Sequence, residues 1–452
     1  MQRLLAAGFA IVLAACGGGG GGASMSASAP GNGGNGSLPP PVSSSSNGPT
    51  IIADTTGRVG LFQEFDRFMT SGQIQADAPH YDAVWGASQP QLWNSGHPGI
   101  VTMRYFIPQE DRLMESGHDI TWFQTNHPEW ILYACRADGT PTHDYAYWAG
   151  VDVADVPLDF HNPDVIDYQV RQLNGMNAIQ NGDAALAIDQ IIFSNAMVGG
   201  NPNFGQTVKP GEYACGVWQG STFVRRYTGV NDPAWTADSI AFVKTARQIV
   251  KSDSTLAPYH LKIVVNHPLG ALSDPREQEL LANVDGLVDE RGYADRGRYT
   301  GAGDANLFKA TTQYLIYLQK HGIAAFVINS FQDPAVTADQ REYALAAYYM
   351  ANEGGEDIYI SPSTGGLNEN FPEYAVQLGK PCEEYHGGPD IYYRRYSGGL
   401  VVLNSGSLPK AAVSASLPAN HTYADVDGRR VTNPLSVSSG DGYILTTTNG
   451  CS

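Results

Sequence analysis

Charge is sparse in this chain, and basic charge sparser still. Asp, Glu, Lys and Arg supply 16% of its 452 residues, and 27 basic against 45 acidic side chains leave a formal balance of −18 at pH 7. Such a chain repels phosphate backbones and offers an anionic membrane surface no polybasic stretch, so nucleic acid is excluded as its partner. Its GxGxxG matches, at residues 17–22 and 31–36, fall in a glycine-rich stretch with no strand pattern before them or helical pattern after them, and GxxxxGK[ST] and GxSxG do not occur. The glycine-rich phosphate cradle and the strand–turn–helix serine elbow therefore both lack support. Cysteine is rare at five residues, with no CxxC, and the 11 histidines are scattered without an HExxH. The sequence therefore gives no support to a metal site, a thiol redox centre or any cofactor.

What the chain does have begins with an exported leader. Met1 to Arg3 is a short positive segment, and Leu4 to Ala15 is an apolar run too short to span a bilayer. Leu13-Ala-Ala-Cys16 resembles a bacterial lipobox. That resemblance implies cleavage before Cys16 and a diacylglycerol on its sulfur. Gly17 follows instead of an acidic retention signal, so the expected address is the outer membrane of a Gram-negative bacterium. Residues 17–50 are rich in Gly, Ser, Asn and Pro, a composition that cannot bury enough apolar surface to offset chain entropy. A flexible tether of about 34 residues has an r.m.s. reach on the order of 30 Å. Four cysteines remain beyond Cys16, and in an exported chain an even number favours disulfides. Of the possible connectivities the expected one is Cys135–Cys215 with Cys382–Cys451. The second bridge would staple a C-terminal unit of about 70 residues whose core is thin.

Between the tether and Cys382 the pattern alternates. Strand candidates are Val59–Phe62, Ala83–Trp85, Ile100–Phe106, Ala187–Phe193, Leu261–Val265, Gly286–Asp289, Ala324–Ile328 and Asp357–Ile360. They are short and rich in apolar, β-branched or aromatic residues, as strands buried on both faces are. Helical patterns fall between them at Pro163–Asn174, Ala234–Ser252, Leu307–His321 and Ala338–Glu353. Strand, helix, strand over residues 51–381 predicts an α/β fold, a (β/α)8 TIM barrel. From residue 382 to 452, short strands at Ile391–Tyr396, Gly399–Leu403, Ala411–Leu417, Tyr423–Val426 and Gly442–Thr446 predict a small antiparallel β-sandwich. Its expected role is to cover one side of the barrel.

Six segments carry a family resemblance: Asn126–Leu132, Pro157–Val165, Ala187–Asn195, Ile263–Pro268, Asn283–Gly292 and Tyr343–Gly354. In this order, ahead of a β domain carrying GGLVVLNSG and YADVDGRRV, they resemble the hypothetical glycosyl hydrolase family 15, with polygalactosaminidase-like barrels as more distant relatives. The resemblance implies a glycosidase acting on a polysaccharide or oligosaccharide. An aromatic content of 10%, with 24 Tyr and 7 Trp, suits stacking on neutral sugars.

Glycoside hydrolysis needs two carboxyl groups astride the scissile bond. At Val284 to Arg291 an apolar strand, sixth in the barrel, runs out into Glu290, the expected acid/base. The partner stays open. Barrels of this type end strand 4 with an acidic residue before Asn. This chain departs from that pattern, because Asp189-Gln-Ile-Ile-Phe-Ser194-Asn195 puts Ser194 there. Asp189 reads as the start of that strand, low in the barrel, and Glu64 and Asp66 at the end of strand 1 are the reserves. Asp111 lies just past strand 3. Tyr105, Ser194, Asn195, Asn266 and His267 are expected to contact sugar, with Glu64 and Asp66 beside them. Residues 197–231 form a long aromatic-rich loop with Phe204, Tyr213, Trp218 and Phe223 that would shape the cleft. Trp122, Trp130 and Trp148 are sugar platforms or buried anchors. The alternative to a hydrolase is a barrel that binds polysaccharide without cleaving it.

The leader makes its own prediction. Cys16→Ser should move the protein from the membrane fraction to the soluble fraction and abolish incorporation of labelled palmitate; a variant that stays membrane-bound contradicts the lipid anchor.

Overall fold

The computed structural model describes residues 57–67, 69–146, 155–195, 211–290, 292–293, 305–328, 337–354, 358–361, 371–388, 391–405 and 412–452. Cys16, the tether, Trp148, Phe204 and Arg291 lie outside them. The described chain falls into two compact units, one made of Pro108–Ile166 and Phe193–Ser239, the other of the residues around them.

The larger unit is built on eight parallel strands: β1 Gly60–Glu64, β2 Ala83–Trp85, β3 Val101–Phe106, β4 Ala185–Ile188, β5 Lys262–Asn266, β6 Gly286–Asp289, β7 Ala324–Ile328 and β8 Ile358–Ser361. Each pairs with its sequence neighbour, and β8 pairs back onto β1, closing the barrel. The segments between strands carry the helices α1 Ser71–Asp77, α2 Pro90–Gly96, α3 Met176–Asn181, α4 Pro233–Ser252, α5 Pro275–Leu281, α6 Ala305–Lys320 and α7 Ala338–Ala351. A turn of helix at Pro163–Asp167 and a wide π-helical stretch at Tyr168–Gly175 lead into α3. Beyond β8, the described residues before the C-terminal sheet hold only a 3-10 turn at Pro372–Ala375. Thr70 and Thr337 cap α1 and α7, each reciprocated by a glutamine three residues on, so both orphaned ends of the box are satisfied.

Two expectations need correction. Strand 4 spans Ala185–Ile188 rather than Ala187–Phe193, because Gln190 takes a left-handed φ of 53° that breaks the extended run. Asp189 therefore stands just past the top of this strand rather than at its foot. In the C-terminal region Tyr423–Val426 makes only two isolated bridges, from Ala424 to Arg430 and to Thr446, while Leu435–Val437 forms a strand instead.

That region is two-layered. β9 His386–Gly388, β10 Ile391–Tyr396, β11 Gly399–Leu403 and β14 Gly442–Thr446 form one sheet, and β12 Val413–Ala415 with β13 Leu435–Val437 forms the other. Leu400, Val402, Ala415, Tyr423, Val437 and Leu445 fill the space between them. The Cys382–Cys451 disulfide closes this region. A bridge across 69 residues removes about 4 kcal/mol of unfolded-chain entropy in the loop-closure picture.

Helix α7 joins the two parts. Every residue from Tyr343 to Ala351 is buried, the mark of a helix covered on all sides. Gly442 of β14 lies so close that an added Cβ would meet Ala346 Cβ at 2.7 Å. Buried Arg394 donates to the Met350 carbonyl at 2.6 Å and to Glu353 at 2.8 Å, and a cation at a helix C-terminus is favourable. The Tyr396 hydroxyl donates to the Tyr349 carbonyl nearby.

One carboxyl at this junction is costly. Glu342 accepts from the Ile444 N–H at 3.1 Å, yet burial, reinforced by Asp425, Glu373 and Asp339, pushes its pKa up to about 7. A raised folded-state pKa means the native state holds the proton more tightly than the unfolded chain, so stability falls as pH rises from the ordinary carboxylate range through about 7. Glu342→Gln keeps the acceptor without the charge. Its Tm advantage over the parent should grow between pH 5 and pH 8 in thermal melts; a difference independent of pH contradicts the assignment.

Candidate active site

Side chains of a strand alternate between faces, so the barrel core fixes which residues come next at its mouth. Phe62, Met103, Ala187, Val264 and Val288 are inward residues of the packed core. Two positions further along stand Glu64, Tyr105, Asp189, Asn266 and Glu290, one layer above at the strands' C-terminal ends, the face on which barrel enzymes carry their chemistry.

Four of these five are joined. The Tyr105 hydroxyl donates to Asp189 Oδ2 at 2.5 Å. Asn266 Nδ2 donates to Asp189 Oδ1 and to Glu290 Oε1, at 2.7 Å in each case. The Gln190 N–H adds a further donor to Asp189 Oδ1 at 2.7 Å. The chain of contacts thus crosses β3, β4, β5 and β6, which are consecutive neighbours in the barrel. Because one nitrogen serves both carboxylates, their bridged oxygens lie no more than twice 2.7 Å apart. The two groups differ in surroundings. Asp189 is 8% exposed and accepts from Tyr105, Asn266 and the Gln190 N–H, while Glu290 is exposed at the rim. Glu64 is buried at the top of β1.

Packing holds this arrangement in place. The Tyr105 ring is wedged edge-to-face between Phe65, 5.0 Å away, and Trp85, 6.1 Å away. Gly86 makes that possible, since a Cβ there would meet the Phe65 ring at 2.5 Å. Beneath Asp189 the turn is tied to β5 from both sides. The Ile191 N–H donates to the Asn266 carbonyl at 3.1 Å, and His267 Nδ1 donates to the Ile191 carbonyl at 2.5 Å. His267 is 3% exposed, and its Nε2 meets Glu277 Oε2 at 3.0 Å, with the Tyr314 hydroxyl on the other Glu277 oxygen. His267 therefore braces the Asp189 turn and does not face a ligand, contrary to the sugar contact expected of it. Nothing in the sequence spacing of His267, Glu277 and Tyr314 announces this chain.

Other expected site residues are engaged elsewhere. Asp66 is fully buried and accepts from the N–H groups of Ser88 and Gln89 and from Trp93 Nε1 at 2.9 Å. It fixes the turn into α2 and is not available as a reserve carboxylate. In the smaller unit, Ser194 Oγ bonds Asn231 Oδ1 at 2.5 Å. Fully buried Asn195 donates to the carbonyls of Ala214 and Gly229, so both residues organise their own loop. Asp111 is buried there and accepts from Ser116 Oγ. The same unit carries a four-stranded sheet in the order Thr222–Arg225, Tyr213–Gln219, Tyr133–Cys135, Pro141–Tyr145, crossed by the Cys135–Cys215 disulfide. Trp130 is a buried anchor stacked on His127 at 3.8 Å, and half-buried Trp122 stacks on His118 at 3.7 Å. Trp218 stacks on His143 at 4.5 Å, with Phe223 at its edge.

No family model matches the chain, and no curated protein matches it. Its likenesses among solved structures are loose. A debranching enzyme from Nostoc punctiforme is 12% identical, with a TM-score of 0.45 over 83% of this chain and 88% of that one. An alpha-xylosidase from Xanthomonas citri is 10% identical, with a TM-score of 0.41 over 87% of this chain and 46% of that one. Pyruvate kinase from Cryptosporidium parvum is 10% identical, with a TM-score of 0.32 over 71% and 69%. Likenesses this distant carry no argument about chemistry, which rests on the side chains at the barrel mouth.

Proposed function

We propose that this chain is a retaining glycoside hydrolase of the cell envelope, with Asp189 as nucleophile and Glu290 as acid/base. The observation that carries the reading is the single Asn266 nitrogen 2.7 Å from an oxygen of each carboxylate. Retaining glycosidases hold their two carboxyl groups about 5–5.5 Å apart, and inverting ones about 6.5–9.5 Å, to leave room for water. The bridged oxygens, at most twice 2.7 Å apart, are too close for the second spacing, which favours the first. The resemblance to the hypothetical glycosyl hydrolase family 15 agrees with a polysaccharide or oligosaccharide substrate.

The roles follow from surroundings. Asp189 is nearly buried and held in place by Tyr105, Asn266 and the Gln190 N–H, the fixed position an attacking carboxylate needs. Glu290 stands exposed at the rim, where it can exchange protons with solvent. As the glycosidic C–O bond breaks, protonated Glu290 gives its proton to the leaving oxygen and Asp189 bonds to the anomeric carbon. Glu290, now a carboxylate, then takes a proton from water. That water attacks the same carbon and releases Asp189. Substrate entry would displace Asn266 from Glu290 and leave its N–H for a sugar hydroxyl. The lipid on Cys16 and the tether would hold the barrel at the outer membrane, where it meets glycan polymer.

Substitutions separate the two roles. Asp189→Asn should lower kcat/KM by a factor on the order of 10³ on every substrate. Glu290→Gln should do so on natural glycans but far less on aryl glycosides, whose leaving groups need no proton. Equal losses on both substrate types would remove the acid/base assignment. If the parent cleaves nothing on a broad glycan panel yet retains one glycan, the chain is a binding protein.

A further inference from the structure

A second cavity lies outside the barrel. Along α6, Lys309, Gln313, Ile316 and Lys320 recur at helical spacing on one face, while Phe308, Thr312, Leu315 and Leu318 turn inward and are buried. The outer face meets the segment around β9 and β10, and the two enclose about 580 Å³. This falls within the range of about 300–1,000 Å³ typical of small-molecule sites, which favour seams of this kind.

Its lining leaves three polar side chains unused. Lys309, Gln313 and Glu384 are exposed and line the cavity, and among the described residues none of them makes a hydrogen bond or ion pair. Half-buried Tyr385 and buried Tyr392 meet edge-on there, with ring centroids 5.9 Å apart and planes at 60°. Tyr392 is fixed from behind by Phe308 at 4.9 Å. An ammonium, an amide and a carboxylate around two aromatic rings are what a pyranose requires: donors and acceptors for its hydroxyls, and flat surface for its C–H face. Phosphate is disfavoured, because Glu353 and Glu384 match the two lysines in number and Lys320 is already paired with Glu353 at 3.7 Å.

We infer that this seam pocket is a second binding site for a neutral oligosaccharide, separate from the Asp189–Glu290 mouth. The proposal takes its ligand class from the glycosidase reading and stands or falls on a separate readout. The full chain carrying Asp189→Asn and Glu290→Gln is applied to an array of immobilised neutral and acidic oligosaccharides, with and without Gln313→Ala and Glu384→Ala. Retention of a neutral oligosaccharide should fall about tenfold in the pocket variant, and Lys309→Ala should weaken it in the same direction. Both pocket variants should keep the parent's Tm and, with the mouth intact, its rate on short soluble glycosides. Retention that is unchanged, confined to acidic sugars or missing from the parent overturns the proposal. Loss of hydrolysis on substituting the mouth is scored on its own, so failure of one site does not mask the other.

Discussion

A closed parallel barrel can be filled only by alternate residues of each strand, and that constraint determines what this protein presents to solvent. Once Phe62, Met103, Ala187, Val264 and Val288 are committed to the core, the residues two places on have no choice but the mouth. Five of those places hold Glu, Tyr, Asp, Asn and Glu. Polar groups at the end of buried strands must be paired or solvated, and here Tyr105, Asp189, Asn266 and Glu290 pair with one another. The hydrogen bonds that satisfy the rim are the same ones that set two carboxylates at a fixed separation.

Asn266 is the centre of that arrangement, and a neutral amide suits it. Its two N–H groups reach both carboxylates without adding a cation that would bind either one too tightly to react. The asymmetry comes from what surrounds each acid. Tyr105 is clamped by Phe65 and Trp85, and the Asp189 turn is braced by His267, whereas Glu290 stands exposed at the rim. A buried group and an exposed one are thus built from two carboxylates of similar intrinsic acidity.

Much of this was legible in the residues, and the failures have physical causes. The strands Ala83–Trp85, Gly286–Asp289 and Ala324–Ile328 are short apolar runs bounded by turn residues, and they fold over those bounds. Strand 4 was misplaced because Ile191, Ile192 and Phe193 prolong its apolar run after the strand has ended. Ile191 is fully buried, but from within a turn, and hydrophobicity cannot separate the two cases. That slip moved Asp189 from the rim to the foot of the barrel and put Ser194 in its place. Asp66 looked available because a sequence does not show that Ser88, Gln89 and Trp93 will converge on it. Both disulfides are the pairing favoured among the three that four cysteines allow, the count alone giving only their number. The helices at Ser71–Asp77, Pro90–Gly96 and Pro275–Leu281 are too short to show a helical repeat in the sequence, although Thr70 with Gln73 and Asp274 with Pro275 are start signals.

The central claim is that Asp189 forms a bond to the sugar while Glu290 moves the proton. It is tested most directly by trapping that bond: the full chain is incubated with a 2-deoxy-2-fluoro analogue of the glycoside it cleaves, digested, and read by peptide mass spectrometry. The account predicts one sugar adduct on Asp189, accumulating in the parent and missing from Asp189→Asn. An adduct on another carboxylate, or none while the natural glycoside is hydrolysed with inversion, would contradict it.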